Sequence, residues 1–190
     1  MRIISGSARG RRLLAPKNER IRPTADRVKE SLFNILAVQL GSFAGRRVLD
    51  IFAGTGNLGI EALSRGAADA LFIDENREAV ALIRKNLELT GFAKQGRVVQ
   101  KEALAALRSL SDGAETFGLV FLDPPYRQGF SGKVLEFLAA SSLIDGRSVV
   151  VVETAAVEAL PDSFGRLREF DRRSYGDTAL AFFMLNNSET

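Results

Sequence analysis

Four short stretches of the chain hold side chains able to do chemistry. The first is Asp50-Ile-Phe-Ala-Gly54-Thr-Gly56-Asn-Leu-Gly59. Gly54 and Gly56 allow a sharp turn and close approach of a ligand to the backbone, and Gly54, Gly56 and Gly59 match the G-x-G-x-x-G spacing of a dinucleotide site. A nicotinamide or flavin oxidoreductase therefore stays open from this loop alone. Asp50, four residues ahead of Gly54, weighs against it, because its carboxylate would crowd a pyrophosphate and suits a cationic or amine-bearing ligand better. The second is Asp74, about 20 residues beyond the glycines, where an acid can accept both hydroxyls of a ribose or can cap the helix starting near Asn76. Glu102 holds the corresponding place after the third strand, beside an adenine edge or as another helix cap. The fourth, Asp123-Pro124-Pro125-Tyr126, joins a carboxylate, carbonyls fixed by consecutive prolines, and an aromatic face. Such a turn suits a planar base carrying an exocyclic amine, or is a rigid loop with a buried Tyr.

The composition removes most alternatives. With no Cys and no His among the 190 residues, there is no disulfide, no thiolate or imidazole metal site, no cysteine nucleophile and no Ser-His-Asp triad. No metal is expected, and the reaction falls to carboxylates, hydroxyls, backbone groups and an organic cofactor.

The elements that must position these residues follow from periodicity. Apolar runs at 47–52, 70–73, 97–100, 118–122 and 148–152 read as strands, and amphipathic patterns near 57–65, 76–90, 102–110 and 130–140 read as helices. Continuous apolar strands between helices indicate a parallel sheet covered on both faces. Residues 166–174 and 178–185 flank Tyr175-Gly176-Asp177 and read as an antiparallel hairpin closing that sheet. Ahead of the sheet, Ile3-Ile4 and Leu13-Leu14 suggest a small β-hairpin, and a helix runs from Pro23-Thr24-Ala25-Asp26, with Thr24 as N-cap, to about Val38.

Charge is divided unevenly. Residues 1–47 carry 11 Lys and Arg against three acids, while the rest of the chain is net acidic. A basic arm of this kind contacts a phosphate backbone or is a solvated tail, and Arg9, Arg11 and Arg12 lead the first reading. At 190 residues one main domain is expected: a basic extension over 1–22, the sheet domain over 23–185 and a polar tail over 186–190. No apolar run reaches membrane length, no secretory signal is evident and nothing resembles a dimerisation helix, so a cytoplasmic monomer is expected.

The glycine loop, the acid after the second strand and Asp-Pro-Pro-Tyr together resemble S-adenosylmethionine-dependent amino-methyltransferases. Arg22-Pro-Thr-Ala-Asp-Arg-Val-Lys-Glu-Ser-Leu-Phe33, Gly59-Ile-Glu-Ala-Leu-Ser-Arg-Gly66 and Tyr175-Gly-Asp-Thr-Ala-Leu180 narrow the resemblance to the bacterial small-subunit (16S) ribosomal RNA guanine-N2 methyltransferases of the RsmD type, over nearly the whole chain. That resemblance implies a Rossmann-like class I fold with a seven-stranded sheet. It implies S-adenosylmethionine as cofactor, with Asp50, Ala53, Gly54 and Gly56 around the methionyl part, Asp74 on the ribose, Glu102 by the adenine and Phe33 with its helix as cover. Asp123, Pro124 and Tyr126 would hold the target base, and Arg9, Arg11, Arg12, Arg22, Arg27 and Arg127 the RNA, in an assembling or complete subunit. Relatives often carry Glu at position 74, so Asp74 reaches one methylene less far. Two other readings remain: an adenine-N6 DNA methyltransferase sharing the same turn, and a catalytically silent RNA-binding protein of the same fold.

Overall fold

Residues 1–16, 23–124, 129–158 and 160–186 are described by a computed structural model of the chain. Helix α1 (Pro23–Leu40) leads into β1 (Arg47–Ile51), α2 (Asn57–Ser64), β2 (Asp69–Asp74), α3 (Arg77–Thr90), β3 (Gly96–Gln100), α4 (Ala103–Ser111), β4 (Leu119–Leu122), α5 (Phe130–Ala140) and β5 (Val149–Ala155). Three further strands follow: β6 (Ser163–Phe164), β7 (Leu167–Tyr175) and β8 (Thr178–Leu185). They form one sheet in the order β3-β2-β1-β4-β5-β8-β7-β6, parallel from β3 to β5 and antiparallel beyond. This is the parallel sheet with a closing antiparallel hairpin that the alternating pattern indicates, and the Rossmann-like architecture that the family resemblance implies. The eighth strand is the two-residue β6 at the edge, too short to leave a periodic signal.

Alternation splits the core in two. Val48, Phe72, Phe121 and Val151 pack on the face covered by α1, α2 and α3, while Leu49, Leu71, Val120, Leu122 and Val152 pack on the face covered by α4 and α5. From β1 the strands are added outward to β2 and β3 on one side and then to β4 and β5 on the other, and this switch leaves a crevice between β1 and β4 at the carboxyl ends of the strands, where ligands of open α/β sheets bind.

The N-terminal hairpin is minimal: Arg2 and Arg12 form an antiparallel bridge, with Ile3 N–H donating to Arg11 O, Leu13 N–H to Met1 O and Gly10 N–H to Ile3 O. It is docked on the body, since Ile3, Ala8 and Leu13 are buried in the same cluster as the sheet. The reason lies on α2. The Glu61 carboxylate accepts the N–H groups of Ile4 and Ser5, and the Ser64 hydroxyl accepts from Ala8 N–H while donating to Ser5 O. Gly6 sits at φ 83°, with an added Cβ falling 1.7 Å from Ser64 O, so the loop meets the helix backbone to backbone. Asn86 of α3 holds the far end through both the N–H and the carbonyl of Leu14. The expected N-cap is corrected: α1 already includes Pro23, which places Thr24 within the first turn.

Candidate active site

Asp50 lies on the α1 face of β1, 2% exposed, with Oδ2 accepting Gly59 N–H at 2.9 Å. Gly59 is in the first turn of α2, so the anion site that this helix N-terminus would offer a phosphate is already filled by a side chain of the chain itself. Burial pushes the Asp50 carboxyl up to about 7; the Gly59 bond works against that shift and the neighbouring Asp74 adds to it. An ionised Asp50 calls for a cationic group from the ligand. Gly59 also lets the helix lie on the sheet, since a Cβ there would come within 2.4 Å of the Phe72 ring.

One register step along the sheet brings four residues into a row. Asp50, Phe72 and Phe121 are strand partners, with Val151 beside Phe121. Two residues further on are Asp74, Phe52 and Asp123, at the carboxyl ends of β2, β1 and β4, and Glu153, inside β5 ahead of Thr154 and Ala155. Alternation would put all four on the α1 face. Phe52 departs from it: with φ 60° its ring joins the opposite core and packs 5.8 Å from Phe130. That left-handed residue leaves a gap between Asp74 and Asp123. All four line an open cleft of about 1300 Å³ and its smaller continuation of about 600 Å³ towards α4.

The expected cofactor residues divide. Ala53 and Gly54 line the cleft, and a Cβ on Gly54 would meet nothing within 4 Å, so the backbone faces open space. Gly56 does not line it; a Cβ there would press on Ile60, Ile83 and Phe72, so this glycine serves packing. Asp74 Oδ2 accepts Gly54 N–H at 2.8 Å and Oδ1 accepts Asn76 N–H, while Asn76 itself caps α3. Asp74 thus shapes the glycine loop and keeps its remaining acceptor capacity towards the cleft. Glu102 takes the capping role, accepting from Leu104 and Ala105 N–H, and borders the smaller part of the cleft.

Phe33 is a correction. Its ring is fully buried, with Arg65 4.7 Å above it and Phe43 and Phe121 at 5.8 and 5.7 Å. Among the described residues of α1, Val28, Lys29 and Leu32 line the cleft. Val28, Leu32 and Phe33 share an apolar helical stripe, and only the way the helix docks decides which of them face the cleft.

Asp123 is exposed to the cleft, its N–H directed at Ile51 O, and Pro124, largely buried, borders the smaller part of the cleft. Tyr126, Arg127 and Arg22 lie outside the described residues. Arg9, Arg12 and Arg27 are exposed, as is Arg11, which donates to Leu89 O and so helps dock the N-terminal loop. Sequence reasoning overlooked three parts of the cleft. Phe52 gave no signal, because strain is invisible in composition. Glu153 reads as one acid ending an apolar strand. The turn from Tyr175 to Thr178 forms a wall, tied to α1 by a hydrogen bond between the Tyr175 and Ser31 hydroxyls.

Comparison with known proteins gives a consistent result. The model of the family described as "Conserved hypothetical protein 95" matches residues 1–184. The chain is 36% identical to "Putative rRNA methyltransferase YlbH" of Bacillus subtilis, over 96% of this chain and 98% of that protein. It is 38% identical to "Ribosomal RNA small subunit methyltransferase D" of Escherichia coli, over 85% of this chain and 78% of that one. Among solved structures, "Putative methyltransferase yhhF" from Escherichia coli superposes with a TM-score of 0.83 at 34% identity, covering 97% of both chains.

Proposed function

The chain belongs to the Conserved hypothetical protein 95 family, and from that premise we propose that it transfers a methyl group from S-adenosylmethionine to the exocyclic N2 of a guanine in small-subunit ribosomal RNA. The observation that carries this reading is the row at the carboxyl edge of the sheet. A buried acid awaiting a cation, an open glycine backbone and a ribose-height acid stand on one side of the Phe52 gap, and the rigid Asp123-Pro124 end stands on the other.

The donor set fits the cofactor. Asp50 would balance the charge of its amino acid part, Gly54 and Ala53 would pass close beneath it, and Asp74 would accept from the ribose. When bound, this cofactor supplies a sulfonium methyl that is already strongly electrophilic. The chain's own task is to present the amine, a poor nucleophile whose lone pair is delocalised into the purine ring. The Asp123 carboxylate and the Pro124 carbonyl each accept one N–H bond, which lets the nitrogen pyramidalise and aims its lone pair. Held by Asp50, Gly54 and Asp74, the cofactor would supply the methyl to the nitrogen that Asp123 and the Pro124 carbonyl orient, the electron pair of its carbon–sulfur bond staying with sulfur. The nitrogen, now positively charged, sheds one proton to water. Because that nitrogen is acidic after transfer, no strong base is needed, in keeping with a chain that has no His. Tyr126 stacks on the extruded base, and the exposed arginines Arg9, Arg11, Arg12 and Arg27, with Arg22 and Arg127, hold phosphates.

Mass spectrometry of ribosomal RNA nucleosides from cells with and without the chain tests this directly. A small-subunit N2-methylguanosine that vanishes on deletion and returns with the wild-type gene is the expected result. An unchanged N2-methylguanosine content, or loss of a different methylated nucleoside, overturns it.

A further inference from the structure

The proposed reaction uses one of the two carboxylates that stand together at the base end of the row. Glu153 is one register step past the Val152–Leu122 pair, which puts it beside Asp123 at the usual strand separation of ~4.8 Å. It is half-buried, and it lines both parts of the cleft together with Asp123. Its strand partner on the other side is Leu180, so the hairpin wall from Tyr175 to Thr178 rises next to it.

We infer that Glu153 selects guanine, its carboxylate accepting the N1–H of the base while Asp123 and the Pro124 carbonyl accept the hydrogens of N2. The inference rests on the reading of the site as a guanine-N2 methyltransferase and names its specificity residue. Guanine is the RNA base that presents three adjacent donors, N1–H and the two N2 hydrogens. A pair of carboxylates offers acceptors alone and matches that edge. Adenine and cytosine place an unprotonated ring nitrogen beside their amines, and its lone pair would face an anionic oxygen with no hydrogen between them. Uracil has a ring N–H but no amine. Polar groups left unpaired in a closed site are the strongest means of rejecting a wrong substrate.

The discriminating substrate is 2,6-diaminopurine, which keeps the reacting N2 amine and replaces N1–H with a lone pair. The methylated guanine is first located with the wild-type chain. RNA carrying either guanine or 2,6-diaminopurine at that position is then assembled by ligation and compared in single turnovers with saturating S-adenosylmethionine. The wild-type chain should be at least tenfold slower on the analogue. Glu153→Gln should lose at least tenfold on guanine and prefer the analogue, because an amide N–H now meets the N1 lone pair; a contact made elsewhere, for example to O6, would not respond to this change. Calorimetry with S-adenosylhomocysteine should give Glu153→Gln the wild-type affinity.

Equal wild-type rates on the two bases overturn the inference, and so does a Glu153→Gln chain that keeps both the guanine rate and the guanine preference. Lost cofactor affinity in that variant moves Glu153 to the cofactor's half of the cleft and also overturns it. Should the variant fail to fold, the wild-type comparison decides alone. A wild-type chain that methylates another atom brings down the reading of the site and this inference together, whereas methylation of guanine N2 without discrimination at N1 brings down this inference only.

Discussion

Asp50 carries the sharpest electrostatic consequence of any single residue. Its folded pKa of about 7 lies above the ordinary 3.8, so the folded state binds a proton that the unfolded chain has already lost. Stability is therefore greater below the ordinary value, falls as pH rises from about 4 to about 7, and levels off above. Asp50→Asn keeps an oxygen for Gly59 N–H and removes this slope; its melting temperature at pH 8 should exceed the wild type's, with cofactor affinity reduced. In the wild type, the affinity for S-adenosylhomocysteine should fall about tenfold per pH unit below about 7 and stay flat above. Calorimetry between pH 5.5 and 8.5 reads this, and a level profile would remove Asp50 from the amine's side. Asp123 is tested by charge against geometry. Asp123→Ala should abolish most turnover with cofactor binding kept, whereas Asp123→Asn still accepts an N–H bond and should lose about 10²–10³-fold in single turnovers. Equal loss in both variants would give the carboxylate a stricter proton-transfer role.

At the scale of elements, α2 does two jobs. Its first turn closes on Asp50 through Gly59, and its last turn grips the N-terminal loop through Glu61 and Ser64. Glu61 is also the partner of Lys29, whose ammonium is buried and reaches Asn57 Oδ1 and Arg2 O. Burial lowers the Lys29 pKa, with Glu61 opposing that shift. Loop, α1 and α2 are thus locked into one body beside the cleft. Ser64→Ala strands the buried Ala8 N–H and should cost about 1–3 kcal/mol in urea unfolding. Amide exchange in residues 3–13 should rise more than in the sheet. Unchanged exchange there would show that the loop is held by its apolar contacts alone.

At the scale of the whole molecule, charges are separated in space. Acids gather at the carboxyl edge of the sheet, and the exposed arginines Arg9, Arg11 and Arg12 sit on a loop that the body holds rigid. A docked basic surface presents fixed charges to RNA, unlike a tail that must be ordered on binding. Replacing these three arginines with Ala should weaken RNA binding, reduce its salt slope by up to about three and leave cofactor affinity unchanged. An unaltered slope would assign the phosphate contacts to other residues. Arg11 adds a structural component through Leu89 O, so Arg9 and Arg12 alone give the cleaner electrostatic measurement.

The alternating strands and helices, the glycine loop and the proline turn were legible in the sequence because each rests on local physics. Periodicity sets which faces are buried, Gly permits a turn and Pro restricts one, within a few residues of chain. The same locality explains why Asp50, Asp74 and Asp123 could be singled out at strand ends. Tertiary structure alone decided how those ends meet. The order β2-β1-β4-β5 and its register put Glu153 beside Asp123, the twist at Phe52 opened the space between Asp74 and Asp123, and the docking of α1 sent Leu32 to the cleft and Phe33 to the core. The charge pattern suggested an arm, while contacts across more than 50 residues made it a fixed loop. Each of these outcomes depends on pairing and packing between distant segments, and the energy that selects them exists only once the segments are in contact.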